Sequence, residues 1–145
     1  MEKTAEKSKT QKIIRTLAFI ITFAVTYFAV QYFFFNKGSI EEQMKDAAVE
    51  INNISPKMVD EYSRLDSATT IADKTFQYHY TILKMTKEEI NIDVLTKFIR
   101  PEVIENVRNS PELKIFRDNK ITMSYNYYDK NGEFITSIDV TPELY

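Results

Sequence analysis

Few side chains in this sequence are suited to acid–base or metal chemistry. His79 is the single histidine among 145 residues, and cysteine is absent. One imidazole is too few for the two- or three-histidine sites of catalytic zinc. Without thiolates, no cysteine-ligated zinc, thiol nucleophile or disulfide can form. His79 could serve as a general base only beside an orienting carboxylate, and strand alternation puts Asp139 on its face. Asp60, Glu61 and Asp66 are hard-cation ligand types. Their spacing does not match a calcium loop, however, and Arg64 stands among them, so an Arg64–Asp66 ion pair is expected instead. Asp129-Lys130-Asn131-Gly132 is too short for such a loop and reads as a hairpin turn. There is no Gly-x-Ser-x-Gly motif, and two glycines in the whole chain leave no phosphate-cradling loop. The expectation is a protein that is not an enzyme and uses no cofactor or metal. Nineteen basic against 21 acidic side chains, a net charge of -2, also argue against a nucleic-acid partner.

The segments that would position these residues have readable periods. His79 lies in Thr75–Met85, where Phe76, Tyr78, Tyr80 and Ile82 alternate with Thr75, Gln77, His79 and Thr81. Asp139 lies in a C-terminal hairpin. In its first strand Ile121, Met123, Tyr125 and Tyr127 alternate with Thr122, Ser124, Asn126 and Tyr128. Asn131-Gly132 supplies the turn, and Phe134, Thr136, Ile138 and Val140 complete the return strand. Tyr62–Ala68 is a further strand, joined to Thr75 through a turn at Ala72-Asp73-Lys74.

Two helical regions flank these strands. Ser39-Ile40-Glu41-Glu42 is a capping box that opens a helix. Ile40, Met44, Ala47, Ala48 and Ile51 share one face of it, and it ends near Asn52-Asn53 ahead of Pro56. A second box at Thr86–Glu89 precedes Val94, Leu95, Phe98 and Ile99 at helical spacing. Val103, Ile104 and Val107 continue that face beyond Pro101. Proline suits a first turn and not a helix interior, so two short helices meeting at Arg100-Pro101 are expected.

The predicted fold is α+β: an N-terminal transmembrane helix, then a domain of order α-β-β-α-β-β. Its antiparallel four-stranded sheet carries helices packed on one face. The other face is polar and almost uncharged, and Gln77, His79, Thr81, Ser124, Asn126, Tyr128 and Asp139 form a candidate partner-binding surface on it.

The transmembrane expectation comes from residues 13–35. From Thr16 to Val30 no residue is charged. Including Arg15 and Gln31 at the two interfaces, about 20 residues match a hydrocarbon core of ~30 Å. The bulky exit through Tyr32 and Phe33 to Phe35 lacks a signal-peptidase site. Residues 1–12 read as a disordered tail containing Lys3, Lys7, Lys9 and Lys12. With Arg15, that basic flank predicts a cytoplasmic N-terminus and a periplasmic α+β domain over 39–145, in a single-pass inner-membrane protein. Residues 13–35 would contact the lipid bilayer. Ala18, Thr22 and Thr26 at spacing four would allow helix pairing and a homo-oligomer.

Val59-Asp60-Glu61-Tyr62-Ser63-Arg64-Leu65-Asp66, together with the closing hairpin, resembles a family of small bacterial envelope proteins of unknown function. These carry an N-terminal anchor or signal, and the resemblance covers about Ile51 to Tyr145. Members often hold cysteines in this domain, whereas this chain has none. The resemblance implies envelope placement and transfers no catalytic residues. The combined expectation is a periplasmic domain that binds a protein partner. It would be an accessory or structural subunit of an envelope or secretion assembly, or a phage- or plasmid-type exclusion factor. The alternative is a small-ligand or lipid-binding domain with the aromatic sheet face lining its pocket.

Overall fold

A computed structural model of the chain describes residues 38–72 and 74–145. Helix α1 (Ile40–Ile54) opens the domain, followed by β1 (Lys57–Met58), β2 (Ser63–Ile71) and β3 (Thr75–Ile82). A short 3-10 turn leads into α2 (Ile92–Asn109) and α3 (Lys114–Asp118), and β4 (Thr122–Tyr128) and β5 (Phe134–Val140) close the fold. The Ser39 capping box is present in both directions: the Glu42 amide donates to Ser39 Oγ at 3.3 Å and the Ser39 amide donates to Glu42 at 3.1 Å. Gly132, with φ 81°, takes the left-handed position of the β4–β5 turn.

The strands lie side by side in chain order, β1-β2-β3-β4-β5, and all neighbours are antiparallel except β3 and β4, which run parallel. The expected four-stranded antiparallel sheet is thus corrected to a five-stranded mixed one. Two physical causes account for this. Two residues are too few for β1 to show a period. Strand direction, moreover, leaves no periodic mark, because side chains alternate identically in both senses. The crossover decides it: residues 83–121 carry the chain back over the sheet, the length a parallel connection needs.

The expected pair of helices is instead one α2, with Pro101 inside it on the exposed side. Proline there removes one backbone donor, while Leu95, Ile99, Val103 and Val107 keep the apolar stripe continuous across it.

The membrane placement is also corrected. The tail over 1–12 and the transmembrane helix expected over 13–35 lie outside the described residues. Among the described residues, no helix is long and apolar enough to cross a membrane. α1 and α2 each bury one stripe against the sheet and turn charged residues outward, a pattern suited to a sheet-covering layer and not to lipid. The expected single-pass inner-membrane localisation is therefore not supported.

Met44, Ala48 and Ile51 of α1 and Leu95, Ile99, Val103 and Val107 of α2 join the inward strand residues in one core. At its centre, Tyr78 of β3 faces Tyr125 of β4 with ring centroids 5.2 Å apart, and Tyr80 faces Tyr127 at 5.7 Å. Both pairs are stacked. The hydroxyls of Tyr80, Tyr125 and Tyr127 are buried without a hydrogen-bond partner. Burial pushes the pKa of all four phenols up, so they stay neutral.

Polar side chains tie the layers together. Asn52 of α1 lies along the outer edge of β2, accepting from the Ala68 amide at 2.8 Å and donating to the Ala68 carbonyl at 2.9 Å. The buried Asp129 carboxylate accepts from the amides of Asn131 and Glu133 in the hairpin turn and from that of Lys87 after β3. Burial opposes its ionisation, but these backbone donors prevail and hold its pKa below the usual carboxylate value.

Candidate functional site: the sheet face turned from the helices

Strand register assembles the face row by row. Thr69 of β2, Gln77 of β3, Ser124 of β4 and Asp139 of β5 lie across one row. Ser67, His79, Asn126 and Ser137 form the next, and Arg64, Thr81, Tyr128 and Phe134 the third. All seven residues expected on this face therefore lie on it together. Phe134 and Thr69 were not in the expected set. Phe134 is in phase with the inward Ile138 and Val140 by strict alternation, but a register shift between Tyr127 and Tyr128 turns it outward. Thr69 lay beyond the expected end of its strand, although the β-branched run Thr69-Thr70-Ile71 signals that β2 continues.

A bulge at Asp66 sets up the β2 contribution. The register with β3 shifts between Leu65 and Ser67, so Leu65 and Ala68, three apart, both point into the core. Asp66 accepts from Arg64 Nε at 2.5 Å and from Thr81 Oγ1 at 2.5 Å. The expected Arg64–Asp66 pair is formed. Asp60 caps its own turn, accepting from the amides of Tyr62 and Ser63.

The centre of the face holds two hydrogen-bonded clusters, one around His79 and one around Asp139. Thr69 Oγ1 lies 2.9 Å from His79 Nε2 and donates to Gln77 Oε1 at 3.2 Å. Tyr128 OH lies 3.4 Å from His79 Nδ1, and the Phe134 ring meets Tyr128 edge-on at 5.7 Å. Ser124 and Ser137 both donate to Asp139, at 2.6 and 2.9 Å. Asp139 is therefore engaged by serines and does not orient His79. Partial burial lowers the His79 pKa, with the charge of Asp66 acting in the opposite direction, so the imidazole is neutral near pH 7. A neutral ring held between two hydroxyls is a fixed donor–acceptor pair.

Asn126 stands apart from both clusters. It sits mid-row between His79 and Ser137, is 7 % exposed, and no described side chain hydrogen-bonds its amide. Its row neighbours His79 and Ser137 are engaged with other side chains, and its amide carries both a donor and an acceptor.

A second concavity lies elsewhere. A groove of about 440 Å³ runs between the first turns of α1 and the end of β2, lined by Glu41, Met44, Lys45, Thr70, Ile71 and Lys74. It does not open onto the stacked tyrosines.

Residues 39–135 match the family described as a domain of unknown function, DUF8479. The chain belongs to that family. No curated protein matches its sequence. Among solved structures, it is similar to a candidate secreted protein from Pseudomonas aeruginosa. That likeness has a TM-score of 0.62 at 10% identity, covering 71% of this chain and 89% of the other. It is also similar to the type II secretion system pilotin AspS from Vibrio cholerae, with a TM-score of 0.51 at 11% identity, covering 74% of this chain and all of that one. At such identities the likeness is one of fold.

Proposed function

We propose that this DUF8479 domain is a non-enzymatic protein-binding module with an envelope- or secretion-related role, and that it receives its partner on the polar sheet face. The observation that carries this reading is the state of that face. Most of its side chains are held by one another, while the nearly buried Asn126 amide has no hydrogen-bond partner among the described residues. A partner's peptide group or side-chain amide could pair with both ends of Asn126 at little entropic cost, because the shell around it is already ordered. Tyr128 and Phe134 add an aromatic rim of the kind that anchors protein contacts. The similarity to a candidate secreted protein and to a secretion pilotin supports the envelope or secretion setting. It favours an accessory subunit over an exclusion factor.

The groove beside α1 supports a second reading, a small ligand held by Lys45 and Lys74 over Met44 and Ile71. One experiment separates the two. A photo-crosslinking residue is placed at Gln77, on the face, or at Thr70, in the groove, of the full chain in its native cell. Crosslinks to another protein from position 77, reduced at least about tenfold by Asn126→Ala, are expected, the range of a hot-spot loss. Silence at 77 with adducts at 70 overturns the sheet-face reading.

A further inference from the structure

The heavy-atom contacts around His79 fix where its hydrogens lie. Gln77 Oε1 can only accept, so the single hydroxyl hydrogen of Thr69 is spent on it at 3.2 Å. Thr69 Oγ1 must then accept at its 2.9 Å contact with His79, which places the ring hydrogen of the neutral imidazole on Nε2. Nδ1 is left bare, and Tyr128 OH, 3.4 Å away, donates to it. The chain of bonds runs one way, from Tyr128 to His79, from His79 to Thr69 and from Thr69 to Gln77. Its two ends therefore meet a partner with opposite characters. Tyr128 turns its hydrogen inward and offers oxygen lone pairs. Gln77, whose oxygen is taken by Thr69, offers its amide hydrogens. A protonated ring has no bare nitrogen, so Nδ1 then donates to Tyr128 and the phenol hydrogen turns outward.

The geometry points to His79 as a positioning residue that sets the hydrogen-bond polarity of the sheet face: the partner places an N–H donor on Tyr128 and a carbonyl acceptor on Gln77, and acid disengages it. This rests on the sheet-face reading and specifies the partner's chemistry at that site. A polypeptide laid across the strands supplies both groups from its own backbone. Protonation of His79 removes the acceptor at Tyr128 and adds a positive charge beside the incoming donor. The other charged groups near the ring are accounted for. On β2, Asp66 and Arg64 are bonded to each other. β4 sets Asn126 and the Tyr128 phenol beside the ring. Asp139 of β5 lies beyond β4 and is held by Ser124 and Ser137. Burial lowers the His79 pKa and the charge of Asp66 opposes that, so the change falls below pH 6.5.

His79 is the only histidine in the chain, so its ring nitrogens can be read without ambiguity. The full-length chain, carrying isotope-labelled histidine and kept in a mild non-ionic detergent because of its apolar residues 13–35, is examined by nitrogen NMR well above pH 6.5. The Nε2–H form with a bare Nδ1 is expected, and Thr69→Val, which removes the acceptor, should abolish that preference. A ring protonated on Nδ1 instead overturns the inference. Docking is then read with a photo-crosslinking residue at Ser67, opposite His79 but outside the chain of bonds, in extracts of the native cell. The yield of a protein adduct should fall at least about fivefold as pH is lowered through the His79 transition, the range of one lost hydrogen bond, with the circular dichroism spectrum unchanged. Tyr128→Phe should give the low yield at both pH values, and His79→Gln should remove the response to pH. Adducts indifferent to pH, or a response that persists in His79→Gln, overturn the inference and leave the sheet-face reading standing. No adduct at either pH sinks that reading and the inference with it.

Discussion

Alternate residues of β3 and β4 meet opposite conditions. Inward, Tyr78, Tyr80, Tyr125 and Tyr127 lie under the helices, and three of their hydroxyls have no partner. Outward, Gln77, His79, Thr81, Ser124 and Tyr128 reach one another or their strand neighbours. The buried face leaves polar groups unsatisfied, and the face without helices satisfies nearly all of its own. Magnitudes explain how the inward face tolerates this. Burying an aromatic side chain of roughly 150–250 Å² stabilises by about 4–6 kcal/mol. An orphaned hydroxyl costs about 1–3 kcal/mol. The ring area wins, so the inward face is stable despite its hydroxyls. The outward face has no comparable area to gain, and its order comes from hydrogen bonds that hold side chains in place without adding much stability.

The sharpest way to break this comparison uses two residues adjacent in sequence. Tyr125→Ala should cost about 3–5 kcal/mol by leaving a cavity, read from urea denaturation. Asn126→Ala, one residue on and on the opposite face, should cost less than about 1 kcal/mol. Equal losses would show that the two faces share the work of stability. Next in size is hydroxyl removal. Tyr127→Phe deletes an unpartnered group and keeps the ring, so stability should rise by up to about 1–3 kcal/mol. A loss would mean that the hydroxyl is satisfied in solution.

The smallest effects should separate the faces by pH. Burial raises the inward phenols above the ordinary tyrosine value of 10.0. Their stabilising contribution is therefore complete below pH 10 and is lost as pH rises above it, when the unfolded chain releases protons that the fold retains. The outward His79 behaves in the reverse sense. Its folded pKa lies below 6.5, so the unfolded chain binds the proton first, and stability falls as pH drops from 6.5 toward the folded value. His79→Gln should flatten the acid limb of the denaturation midpoint and leave the alkaline limb intact. Tyr80→Phe should soften only the alkaline one. If a single variant moved both limbs, the faces would not be independent.

Much of this division is legible in the sequence, because it is a period-two pattern and every residue carries its share of it. All seven residues assigned to the outward face from alternation lie there. Where alternation breaks, the reading breaks with it. Asp66 is an extra residue in β2 and resets the phase behind it, and the register shift at Tyr127–Tyr128 sends Phe134 outward. The expected pairing of His79 with Asp139 fails for a related reason. They share a face, but β4 stands between their strands and Ser124 and Ser137 reach Asp139 first.

By itself the sequence determined the local devices. The Ser39–Glu42 capping box, the turn at Asn131-Gly132, the stripe of α1 and the two faces of β3 and β4 each arise from residues a few positions apart. The tertiary structure decided everything that depends on where a distant segment lands. The parallel pairing of β3 with β4 follows from the path of α2 and α3 over the sheet. The two-residue β1 exists only because β2 is there to receive it, and Asn52 meets Ala68, 16 positions away, only once α1 lies along the edge. Asp129 binds the Lys87 amide across 42 positions of chain. Such contacts leave no local period, because closing a long loop costs free energy that only the assembled core offsets.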